Sequence, residues 1–108
     1  MATIVKNENF ISITSISDDV TTEQIFNNNG QAVRIRSITL IAGDADDILR
    51  VEWNGASGAV ICQLYGYGAG IPSTRVFGDN QYGQSMKPFI DYTDCTLSAG
   101  HIVLIEMA

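Results

Sequence analysis

A chain of 108 residues is the size of one domain, long enough to bury a self-sufficient core without a metal or disulfide staple. Charged residues are only 17% of it and hydrophobic residues 45%, so Ser, Thr, Asn, Gln and Gly must supply much of the exterior, a surface suited to contact with other protein. Twelve Asp and Glu against six Lys and Arg leave a net charge of −6, which argues against direct contact with nucleic acid or anionic lipid.

The first residues, MATIVKNENF, hold no apolar run of signal-peptide length, and no later segment approaches the roughly 20 apolar residues of a membrane span. A soluble protein made in a cytoplasm is expected. Residues 1–9 have too little periodicity to pack securely and are expected as an extended N-terminal arm of the kind that ties to a neighbouring subunit. Phe10 to Ile16 then alternates apolar and hydroxyl residues, as a half-buried strand does. Asp18 to Phe26 is balanced between a strand and a short helix, with Thr21 and Gln24 at capping-box spacing, and Asn27 to Gly30 reads as a tight turn.

Val33 to Ile41 is rich in β-branched residues, but its apolar phase changes between Ile35 and Ile38. Either a bulge near Ser37 or burial on both faces would produce that change. Ile48 to Trp53 and Val60 to Tyr65 form the clearest hairpin, with Leu49, Val51 and Trp53 expected on the core face and Arg50 and Glu52 opposite. Lys87 to Ser98 supplies strands on either side of Thr93-Asp94, and His101 to Met107 closes the chain after the turn Ser98-Ala99-Gly100. Seven or eight short strands with no long helix predict an all-β fold, an antiparallel β-sandwich of jelly-roll type in preference to an immunoglobulin-like one.

Motifs for chemistry are sparse. Gly66, Gly68 and Gly70 begin like a dinucleotide fingerprint, but Ile71 and Pro72 follow where a third Gly and a helix start are needed, and no G-K-[ST] occurs. Asp44, Asp46 and Asp47 could be read as calcium ligands, yet the Gly and distal Glu of an EF-hand loop are absent and a solvated acidic turn is the expectation. His101 is the single histidine and stands without a partner motif, so a structural role is expected. Glu52, Asp91, Asp94 or Glu106 could converge as a carboxylate pair only through the fold. Cys62 and Cys95 are expected as reduced thiols, a disulfide requiring that their strands meet at the right Cβ spacing. No enzyme, cofactor or metal is expected.

Leu64 to Phe89 loses the strand alternation and gathers aromatics among Gly, Ser and Asn. About twenty residues without secondary structure inside a compact domain are usually functional. Tyr65, Tyr67, Ile71, Arg75, Phe77 and Tyr82 are therefore the expected protein-contact residues, because Tyr and Arg anchor interfaces with large area at small entropic cost. Ile4 and Val5 of the N-terminal arm are a second expected contact. Stacking of sugars on Tyr faces is the competing reading, weakened by the core-facing parity of Trp53.

The order VRIRSITLIAGDADDILRVEW, NGASGAVICQL, a glycine-rich loop and KPFIDYTDCTLSAGHIVLIEM resembles small β-sandwich virion proteins of tailed bacteriophages, the capsid decoration or cement proteins among them. The likeness runs from about Gln31 onward and is one of strand order and turn placement. It implies a non-enzymatic homotrimer on the capsid surface of the virion, gripping the major capsid protein and reinforcing the filled head. Related sandwiches serve as head fibres or tail attachments, so a receptor- or glycan-binding module is the alternative implied.

Overall fold

The computed structural model describes residues 2–6, 10–15, 25–26, 32–53, 59–77, 84–91 and 95–107; at 2–4, 6, 15, 25, 26, 84 and 91 it describes the backbone path alone. Among them the chain forms ten strands and no helix: β1 (Ala2–Lys6), β2 (Phe10–Ser15), β3 (Ile25–Phe26), β4 (Val33–Ile41), β5 (Ile48–Trp53), β6 (Val60–Tyr65), β7 (Pro72–Val76), β8 (Gln84–Met86), β9 (Pro88–Asp91) and β10 (Ile102–Met107). One sheet has the order β1-β2-β10-β4-β7, with β8 continuing beside β4; the other has the order β3-β9-β5-β6. Every pairing is antiparallel.

The pairs are nested along the sequence. β2 pairs β10, β3 pairs β9, β4 pairs β7 and β8, and β5 pairs β6. A long hairpin folded over on itself gives this nesting. The expected antiparallel sandwich is what the chain forms; β1, β3, β7 and β8 add to the strands expected, while of the strand expected after Thr93-Asp94 the described residues form only a single bridge between Thr96 and Ile48.

The core lies between the sheets. Ile11 and Ile13 from β2, Ile35, Ile38 and Leu40 from β4, and Val103 and Ile105 from β10 meet Leu49, Val51, Cys62, Leu64 and Ile90 from the other sheet. Each such aliphatic side chain removed from water contributes about 1.5–3 kcal/mol, which is why the alternating runs fold onto one another. The phase change in β4 is a bulge: β10 pairs Glu106 with Ser37 and Met107 with Ile35, so Arg36 has no opposite residue. At the same point the other neighbour of β4 changes from β7 to β8.

Three expectations change here. The expected structureless segment contains β7, which pairs Pro72 to Val76 with Ile41 to Ser37, and β8, which pairs Gln84 to Met86 with Ile35 to Val33. Pro72 opens the strand, a position where its missing N–H is tolerated. The arm expected over 1–9 runs, from Ala2 to Lys6, as the outermost strand along β2. In β5 it is Glu52 that is buried, at 1% exposure, while Trp53 is 43% exposed. The register slips by one residue between Val51 and Glu52, and Trp53 ends the strand beside Pro88, beyond the last core pair Val51–Cys62. Of the segment weighed between strand and helix, Ile25–Phe26 is strand, and 18–24 with the turn 27–30 lie outside the described residues.

Candidate interaction surface

β6 ends one sheet and β7 ends the β4 side of the other, so the connection between them crosses from sheet to sheet along one flank of the sandwich. Their connection, residues 66–71, is held by main-chain bonds at several points. Gly66 N–H donates to Asp47 O at 2.7 Å, Gly70 N–H to Ala42 O at 2.8 Å, and Ile71 N–H to Gly68 O at 3.1 Å. Gly70 has φ +78°, which suits glycine, and Gly66 leaves no room for a Cβ against Asp44 O. The glycines thus fix a tight connection on a rigid scaffold.

That connection displays its large side chains outward. Tyr67 is 70% exposed, and Tyr65, Ile71 and Val76 are also exposed. Gln63 Nε2 donates to Tyr65 Oη at 2.8 Å, which orients the ring along the outer face of β6. Arg75 is exposed too, its guanidinium 5.8 Å from the centroid of the Phe77 ring. Phe77, expected among the contact residues, is only 6% exposed. Its N–H bonds Arg36 O at 3.0 Å, drawing the residue back against β4 at the bulge, and its ring joins the core.

The remaining expected contact residues are placed elsewhere. Tyr82 lies outside the described residues, and Ile4 is described only as backbone in β1. Val5 is exposed, but β1 and β7 stand at opposite ends of the sheet order. Four strand spacings of about 4.8 Å separate them, so the two groups form separate surfaces. Trp53, Val60 and Val76 are exposed apolar side chains that sequence reasoning did not select. Strand ends and an edge strand carry them, and only the pairing order reveals those positions.

The polar residues form a structural junction. Asp47 is buried at 1% exposure; its Oδ2 accepts from Gly43 N–H at 2.7 Å, and its Oδ1 accepts from Ser98 N–H at 3.0 Å and Ser98 Oγ at 2.7 Å. Asp44 Oδ1 accepts from Asp46 N–H at 3.0 Å, a local turn bond. No three His, Cys, Asp or Glu side chains gather as a metal-ligand group among the described residues. His101 is fully buried, its Nδ1 2.8 Å from Ser98 O, and burial lowers its pKa against the opposing effects of that carbonyl and the Asp47 charge. Asp, Ser and His thus adjoin, but in the wrong order for nucleophile activation: the hydroxyl bonds the carboxylate and the imidazole faces a carbonyl.

Glu106 pairs with Arg36 at 3.3 Å on one sheet and Glu52 lies 3.7 Å from Arg50 Nε on the other, so these two carboxylates do not converge. Asp91 is described as backbone only and Asp94 lies outside the described residues. Both cysteines are free thiols. Burial pushes Cys62 up to about 11, with Arg75 opposing the shift. Cys95 Sγ accepts from Arg50 N–H at 3.4 Å and donates to Arg50 O at 3.6 Å, standing in for a main-chain neighbour where β5 is next to no named strand.

No protein-family model, curated protein or solved structure matches the chain.

Proposed function

We infer that the chain is a non-enzymatic structural module that docks onto a larger protein assembly, in the form of a phage capsid decoration protein bound to the shell of major capsid protein. The observation that carries the reading is the joint exposure of Tyr65, Tyr67, Ile71 and Val76 along the β6–β7 flank, on a connection pinned by its own backbone bonds. A rigid aromatic group loses little conformational freedom on contact, which is what an anchor residue requires. The phage assignment itself rests on the layout of strands and turns described from the sequence. A ligand that binds only the assembled shell stabilises it by mass action, so many weak sites reinforce a particle strongly.

The test adds purified protein to expanded heads, stripped of accessory proteins, of the phage that encodes the chain. Saturable binding and a raised disruption temperature are expected, and both should be lost with Tyr67→Ala plus Ile71→Ala. Absence of binding at micromolar concentration would refute the capsid reading.

A head-fibre or tail-associated glycan-binding module is the second reading, favoured by the exposure of Trp53. Trp53 and Tyr65 lie at opposite ends of the β5–β6 hairpin, since Ile48 is the partner of Tyr65. Five residue steps of about 3.4 Å separate those ends, so Trp53 and Tyr65 do not share one sugar ring. Glycan-array binding that Trp53→Ala abolishes and Tyr67→Ala spares would favour this reading over the first.

A further inference from the structure

A sheet edge exposes main-chain N–H and C=O groups, and natural edges carry devices that prevent pairing with another chain. Among the described residues, β7 begins with Pro72 and carries Arg75, while β8, which continues that edge, and β3 are described over three and two residues. β6 is different: VICQLY has neither a charge nor a proline, and among the described residues it is the terminal strand of its sheet.

The register shows which part of that edge is free to pair. Gly66 N–H bonds Asp47 O toward β5. Main-chain groups alternate in direction along an antiparallel strand, so Leu64 and Cys62 also turn theirs toward β5, while Gln63 and Tyr65 turn theirs to the open edge. The side chains of Gln63 and Tyr65 are exposed on the outer face. The extra residue of β6, Ile61, falls near the other end, where Val51 pairs Cys62 but Glu52 pairs Val60. Cys62 to Tyr65 keeps an unbroken register with β5.

Charge is polarised along the same flank. Asp44 and Asp46 are exposed in the turn after β4, the turn that bonds the Gly66 end of β6. β7 runs back from that end, pairing Pro72 with Ile41 and Arg75 with Ile38, so Arg75 lies toward the Val60 end. The nearby Arg36 is offset by Glu106 at 3.3 Å. Two copies laid antiparallel, β6 against β6, bring the acidic end of each beside the Arg75 end of the other.

We propose that β6 is a self-association edge at which a second copy of this chain pairs antiparallel about a two-fold axis, joining two four-stranded sheets into one continuous sheet. Pairing centred on Leu64 sets Gln63 beside Tyr65 of the second copy, twice over, with about four new main-chain hydrogen bonds. A two-fold contact is self-complementary and closes at two copies, so it stands apart from the trimer that the family resemblance implies. It does not rest on the shell-binding reading, because it concerns the purified chain alone.

Light scattering on the purified chain, from low micromolar concentration upward, should give twice the chain mass. Gln63→Pro removes an edge-facing N–H that β5 does not use, so it should yield a monomer with an unchanged circular dichroism spectrum. The decisive arm uses charge. Arg75→Glu alone and Asp44→Lys with Asp46→Lys alone should each weaken self-association on the order of tenfold, since each sets like charges together. Mixing the two variants should restore a heterodimer, because both ends are then opposite in charge. A monomer or a trimer at all concentrations, or variants that fail to recombine, would overturn the proposal. Retention of the edge for an extended peptide of another protein would appear as a monomer and count with those outcomes.

Discussion

Asp47 and Ser98, 51 positions apart, are joined twice through one carboxylate oxygen, which accepts the Ser98 N–H at 3.0 Å and the Ser98 hydroxyl at 2.7 Å. The other oxygen holds Gly43 N–H at 2.7 Å. One buried side chain therefore fixes the end of β4 against the turn that starts β10, strands that pair through most of their length. Asp47→Ala leaves two main-chain donors and a hydroxyl without their acceptor. A loss of about 2–4 kcal/mol is expected from urea unfolding, since each stranded buried donor costs about 1–3 kcal/mol. Asp44→Ala and Asp46→Ala, at exposed positions, should change stability by less than about 0.5 kcal/mol.

The same junction is tight enough to exclude a methyl group. A Cβ on Gly43 would overlap Ala99 O and lie 2.9 Å from Ser98 O, both main-chain atoms that cannot swing aside. Gly43→Ala should lower the thermal midpoint and cost about 1–3 kcal/mol by overpacking. Gly100 presents the opposite case, with open space around a would-be Cβ but φ +84°. Gly100→Ala should cost about 1 kcal/mol, through the backbone alone.

His101 makes stability depend on pH. Burial lowers its pKa from the ordinary 6.5, so the unfolded chain binds a proton that the folded chain refuses. With the folded pKa the lower one, stability is fully present above 6.5 and falls as pH drops through the interval between the two values. His101→Asn keeps a donor for Ser98 O but cannot titrate. Urea titrations between pH 7 and pH 5 should show a shallower decline for the variant than for the parent; parallel curves would contradict the assignment.

How much of this was legible in the letters depends on whether a residue's fate is set by its neighbours in sequence or by the order of strands. The β5–β6 hairpin and the break in phase near Ser37 follow from local pattern, because a one-residue slip moves every apolar side chain to the other face, but only the pairing with β10 decides that the break is a bulge and not two-sided burial. β7 was hidden, since an edge strand opened by Pro and exposed at Thr74, Arg75 and Val76 shows no apolar alternation. Asp44 and Asp47 look alike in AGDADD, and only the approach of Ser98 makes one a buried acceptor and leaves the other in solvent. Trp53 and Glu52 exchange their expected environments because cover at the end of β5 comes from segments distant in the chain. Of the expected contact residues, the four between Tyr65 and Arg75 were placed at the surface by turn chemistry that the glycines announce.

The thiols should differ in a direct test. Cys62, buried and raised to about 11, holds almost no thiolate at pH 8, so a thiol reagent should modify it only after unfolding. Cys95 has a mechanical task in the gap beside Arg50. Cys95→Ser can keep both the accepted and the donated bond, whereas Cys95→Ala keeps neither. The Ala variant is expected to be less stable than the Ser variant by about 1–2 kcal/mol in urea unfolding.

Phe77 and Tyr67 separate the core from the contact surface although they stand only ten positions apart in one glycine-rich stretch. Phe77 is 6% exposed and Tyr67 70%. Phe77→Ala opens a cavity behind the β4 bulge and should cost about 3–5 kcal/mol, while Tyr67→Ala removes a ring that already faces water and should leave unfolding within about 0.5 kcal/mol of the parent. If Tyr67 anchors a partner, its variant should lose affinity at full stability, a combination that damage to the core cannot produce. Phe77→Leu, which keeps most of the volume, should regain stability and retain binding. A Tyr67→Ala variant that unfolds as readily as Phe77→Ala would place that ring in the core and remove the main support for docking through this flank.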